Sequence, residues 1–87
     1  MKREARVLAS SCTGRVCIGI VVRGPGLDGL AVAPTCTALC LRLEEKGYLY
    51  ELRYAMGDCT CGLPGPPRIT PGLEAFLRFA RRAAGRV

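Results

Sequence analysis

The chain has no histidine, tryptophan, asparagine or glutamine. Without histidine it lacks the commonest general base and a frequent metal ligand, so the expectation is a protein that is not an enzyme and carries no cofactor or metal. The missing thermolabile amides, together with an arginine-to-lysine ratio of eleven to two, lean toward a hyperthermophile. No apolar run approaches the roughly 18 to 20 residues that cross a membrane. The opening MKREARVLASSC scatters charge among its apolar residues, unlike a secretory leader. The expectation is therefore a cytoplasmic protein without a membrane partner. Six cysteines fit this setting, since the cytosol of hyperthermophiles is where intracellular disulfides are common.

What is present suits one small domain over residues 1–87, apolar enough to fold at 49% hydrophobic residues. The net charge of +6 is concentrated at the ends. Lys2, Arg3 and Arg6 outweigh Glu4, and Arg78, Arg81, Arg82 and Arg86 stand together near the C-terminus, while six basic and six acidic residues cancel between Val7 and Leu77. A basic chain suits a polyanionic partner such as nucleic acid, or simply has well-solvated ends.

Along the chain, Arg3–Ser11 reads as a short helix, and Arg15–Arg23 as either a strand or a buried helix. GPGLDG at Gly24–Gly29 reads as a turn. It also matches G-x-G-x-x-G, but Pro34 interrupts the helix that should follow and the chain is too short for a dinucleotide fold. Residues 35–46 form the clearest helix, with Cys36, Leu39, Cys40 and Leu43 on one apolar face and Gly47 as its stop. The alternation in Tyr48–Tyr54 predicts a strand, and Arg68–Thr70 a short returning one, with the loop between them as a wing over residues 48–70. Thr70 and Pro71 open a last helix over residues 71–85. Its wide apolar stripe of Leu73, Phe76, Leu77, Phe79, Ala80 and Ala83 predicts a homodimer.

The runs CLRLEEKGYL at Cys40–Leu49 and ITPG at Ile69–Gly72 resemble the motifs of winged-helix transcriptional regulators of the PadR and MarR type. The resemblance implies a mainly α fold with a small β-hairpin, a winged helix-turn-helix whose C-terminal helix dimerises. It also implies a DNA-binding regulator, with double-stranded DNA as partner and an effector that the sequence does not identify. The helix over residues 35–46 would enter the major groove. Its outward residues Thr35, Thr37, Ala38, Leu41 and Arg42 would face DNA, with Arg53 and Arg68 on phosphates. The loop from Ala55 to Pro67 has no lysine or arginine and carries Asp58, which favours a competing reading as a disulfide-stabilised protein-interaction module.

The cysteines leave several arrangements open. Cys12 and Cys17 flank a turn and could close a small loop, whereas Cys59 and Cys61 are too near each other to bond without strain and could each tie the loop elsewhere. Disulfides at Cys12, Cys17, Cys59 and Cys61, with Cys36 and Cys40 as buried thiols, are preferred. A four-thiolate zinc site from Cys36, Cys40, Cys59 and Cys61 is ranked below them because neither pair has the C-x-x-C knuckle. A redox protein comes last, as the C-x-x-C motif of thiol oxidoreductases is absent.

Overall fold

A computed structural model describes residues 5–86 of the chain. Its strands are β1 (Arg6–Cys12), β2 (Cys17–Arg23), β3 (Gly26–Ala33) and β4 (Leu52–Gly57), and its helices α1 (Cys36–Glu45) and α2 (Pro71–Gly85), with α1 lying between β3 and β4 in the chain. The sheet order is β3-β2-β1-β4. The first three strands form an antiparallel meander, and β4 joins β1 in parallel. Basic residues Lys2 and Arg3, and the start of the expected N-terminal helix, lie outside the described residues.

The central strands are covered on both sides, which explains their composition. Val7, Ala9, Ile18, Ile20, Val22 and Met56 form one buried cluster with Leu73, Ala80 and Ala84 of α2. Leu8, Cys17, Val21, Ala31, Ala33 and Ala55 form the other with Leu39 and Leu43 of α1. A strand buried on both faces loses polar alternation and becomes a continuous apolar run. Gly19 and the small Ala31 and Ala33 make room for α1. A Cβ on Gly19 would stand 3.1 Å from methyl groups of both Leu39 and Leu8.

Local chemistry sets the helix ends. Thr35 accepts a hydrogen bond from the Ala38 amide and Thr70 accepts one from the Leu73 amide, while Pro71 occupies the first turn of α2. Beyond α1, Gly47 takes a φ of +81°, in the left-handed region that favours glycine at a helix end. At the other end of the sheet, Arg6 Nε donates to Asp28 Oδ2 at 2.8 Å and lies 3.3 Å from Glu51 Oε2. The hydrogen bond to Asp28, aided by attraction to Glu51, raises the Arg6 pKa above its ordinary value, although partial burial opposes the rise.

This α+β architecture corrects the expected winged helix-turn-helix. The chain is not mainly α with one hairpin, because four strands form a mixed sheet between two helices. Residues 6–11, expected as helix, belong to β1, and the segment expected as a turn at Gly24–Gly29 contributes only Gly24 and Pro25 before β3 begins. The wing is absent: residues 49–51 are turn, the strand runs from Leu52 to Gly57, and Arg68–Thr70 is not a strand. β4 therefore pairs with β1 across 45 residues of chain rather than with a following hairpin partner, as in the register Arg6↔Leu52. The two helices expected at residues 35–46 and 71–85 are present as α1 and α2.

Candidate thiol–disulfide site

All six cysteines gather at the end of the sheet where β1 and β4 terminate. Cys12 closes β1 and Cys17 opens β2, directly opposite each other in the register, with Thr13 turning the chain between them. Cys36 begins α1, one turn before Cys40, and Cys59 follows β4. The pairing is Cys12–Cys17, Cys36–Cys59 and Cys40–Cys61. The last two link α1 to the loop after β4, while the first closes the β1–β2 hairpin.

Backbone hydrogen bonds aim that loop at the cluster. Ser10 is completely buried on β1, and its hydroxyl accepts from the Cys59 amide at 2.8 Å and donates to the Cys59 carbonyl at 2.9 Å. The Asp58 amide donates to the Ser10 carbonyl, and the Cys12 amide donates to Asp58 Oδ2 at 2.7 Å. Gly57, at φ +99°, allows this approach, because a Cβ there would overlap the Ser10 carbonyl. The end of β4 is thus clamped to the end of β1 before Cys59 reaches α1.

The two disulfides at the strand ends adjoin each other. Cys12 Sγ lies 3.4 Å from Cys59 Sγ and 3.6 Å from Cys36 Sγ, across the boundary between them. The sulfurs of Cys12, Cys17, Cys36 and Cys59 all lie within 4.8 Å of one another. Cys17 and Cys59 are buried, while Cys12 and Cys36 are half-buried. The Cys36 and Cys40 disulfides also line an open cleft of about 450 Å³ between α1 and the loop, whose walls include Thr37, Leu41 and Thr60. Cys36 stands in the first turn of α1, where the free amides and the helix dipole favour a negative sulfur. Asp58 and Glu44 are acidic groups lining the cleft, and Asp58 also accepts from the Cys12 amide.

The chain matches no family model, no curated protein and no solved structure.

Of the residues expected to bind DNA, five stand on α1 or at its cap and two lie elsewhere. Thr35 caps α1 with its hydroxyl, and Thr37 and Leu41 line the sulfur cleft, Leu41 being exposed. Arg42 is exposed and Ala38 half-buried on α1, whereas Arg53 lies on β4 and Arg68 in the loop before α2. Of the expected dimer contacts, Leu73 and Ala80 are buried in the chain's own core, and Phe76, Leu77 and Ala83 pack beside them. Phe79 alone of that set is an exposed large side chain. The quartet of close sulfurs differs from the zinc set considered from sequence: Cys12 and Cys17 take the places of Cys40 and Cys61. One signal could have found it, since Cys12 and Cys17 are separated by four residues, within the range of zinc-ligand pairs.

Proposed function

We propose that the protein is a redox-responsive thiol–disulfide module, whose working centre is the adjoining pair Cys12–Cys17 and Cys36–Cys59. The contact of 3.4 Å between Cys12 Sγ and Cys59 Sγ carries this reading, because a thiolate at either position already touches the other disulfide. The reductant is a dithiol. One of its thiolates enters the cleft and attacks Cys36 Sγ, the Cys36–Cys59 bond breaks, and its electron pair leaves on Cys59. The second thiol of the reductant then displaces Cys36, so the reductant leaves as a disulfide and two protein thiols remain. Cys59 thiolate next attacks Cys12 Sγ, the Cys12–Cys17 bond breaks, and Cys17 leaves as the thiolate. A second dithiol resolves Cys12–Cys59 in the same way. The two disulfides therefore take up four electrons as one unit.

A double variant Cys17→Ser/Cys36→Ser tests the internal exchange. It leaves Cys12 and Cys59 without their partners, and peptide mapping after mild oxidation should recover a Cys12–Cys59 disulfide. Two persistently free thiols in the folded variant would show that the sulfurs only staple the fold.

The compartment belongs to the same reading. A centre that cycles needs a dithiol supply such as cytoplasm provides, whereas permanent disulfides suit an oxidising compartment. No helix of the described residues is long and apolar enough to cross a membrane. The double-stranded DNA reading has lost the winged helix that carried it. What remains for it is the exposed row Arg78, Arg81, Arg82 and Arg86 at the end of the chain.

A further inference from the structure

We propose that Cys12, Cys17, Cys36 and Cys59, once reduced, bind one zinc-class divalent cation as a tetrahedral four-thiolate centre. This rests on the redox reading above, since the same sulfurs must first be released from their disulfides. Zinc–thiolate bonds of about 2.3 Å at tetrahedral angles put neighbouring sulfurs about 3.8 Å apart. Cys12 Sγ stands 3.4 and 3.6 Å from the two sulfurs of the other disulfide, and no pair in the quartet exceeds 4.8 Å. Two of the four edges between the disulfides thus stand near the length that a tetrahedron requires, and the two from Cys17 are no longer than 4.8 Å. Breaking each S–S bond lets the two disulfide edges lengthen toward the tetrahedral value by side-chain rotation.

The backbone around these positions is fixed independently of the sulfurs. Cys12 and Cys17 are held by strand pairing, Cys36 by the Thr35 cap, and Cys59 by the buried Ser10 hydroxyl. Such prior placement lowers the ordering cost of metal binding. A set this tight surrounds a single ion, and four sulfurs in tetrahedral array select zinc or iron(II) over oxygen-seeking cations. Four thiols and one divalent cation give a complex of charge −2 and release four protons. The N-terminal end of α1 at Cys36 offsets part of that charge. Because protons compete for every ligand, affinity must fall steeply as pH falls. Cys40 and Cys61 remain outside the quartet, so neither is needed as a ligand.

The test uses the full chain, reduced by a phosphine under anaerobic conditions and titrated with cobalt(II), then zinc. The expected result is one cobalt per chain, with the intense visible bands of a tetrahedral site and sulfur-to-cobalt charge transfer, and displacement by zinc. Cys40→Ser/Cys61→Ser should retain this spectrum, whereas Cys17→Ser should lose at least about tenfold in affinity. Absence of stoichiometric binding by the folded reduced chain, an octahedral spectrum, or equal loss in the Cys40/Cys61 variant would overturn the site. Circular dichroism identifies folded samples, and chain refolded from the reduced state with zinc present gives a second preparation. The metal proposal is thereby separated from the redox one: disulfides that resist dithiols in the native state sink the redox reading alone, while a refolded chain that takes no metal sinks this one.

Discussion

Ser10 bears more of the site than its size suggests. Its side chain is fully buried, its hydroxyl meets both polar backbone groups of Cys59, and through them it sets where β4 delivers Cys59 to α1. Replacement by alanine removes a few atoms but strands a buried amide and a buried carbonyl. A buried group without a partner costs about 1–3 kcal/mol. Ser10→Ala should therefore lower unfolding free energy by about 2 kcal/mol in chemical denaturation of the oxidised protein. Ser10→Cys, whose thiol is a weak donor and acceptor, should fall between alanine and wild type. A loss no larger than that of an ordinary surface substitution would show that water takes over these bonds.

At the scale of elements, an aromatic contact packs the loop between α1 and β4 against β3. Tyr48 lies so close to Gly29 of β3 that a Cβ on this glycine would run into its ring. Gly29→Ala should push Tyr48 away and destabilise the protein, whereas the same change in a Tyr48→Ala background should cost much less. The double-mutant cycle, measured by denaturation, is expected to show coupling of about 1 kcal/mol or more; additive losses would mean that the contact is incidental. Tyr48 also shows why this region was misread from sequence. Tyr48–Tyr54 alternates like a strand, but Tyr48 is used against Gly29, and the ladder starts at Leu52 with a partner far upstream. The two helices were legible because their signals are local: the caps Thr35 and Thr70, Pro71, and apolar spacing within each segment. β1 was not, because Val7, Leu8 and Ala9 are buried on both faces and leave no period of two to read. The site was half legible. Cys12 and Cys17 were placed beside a common turn and Cys59 and Cys61 on a loop, yet which sulfurs meet depends on the parallel pairing of β1 and β4, which no local pattern encodes.

For the molecule as a whole, the disulfides compensate for limited size. Chains of 87 residues bury a modest share of their surface, and small domains often rely on cross-links. Here the links are concentrated at one end of the sheet, while Arg6, Asp28 and Glu51 join the segments at the other through partly exposed charges that contribute little. The division of labour among the links is open to measurement. Cys40–Cys61 spans 21 residues of chain and lies outside the sulfur quartet, so its removal relaxes the unfolded ensemble without touching the proposed centre. Loop-closure entropy for such a span amounts to about 3 kcal/mol. In a domain of this size, Cys40→Ser/Cys61→Ser should thus lower Tm by more than about 10 °C in calorimetry of the oxidised protein. Cys61 sits at φ +51°, in the left-handed region, so part of that loss returns if its backbone relaxes once the bond is gone. The decisive comparison is between this loss and the chemistry of the remaining four sulfurs. A variant that melts earlier but still forms the Cys12–Cys59 exchange product, when Cys17 and Cys36 are also replaced by serine, separates a structural staple from a reactive pair. A variant that keeps its Tm would mean instead that the loop after β4 is fixed by the Ser10 clamp and Cys36–Cys59 without help from the third bond.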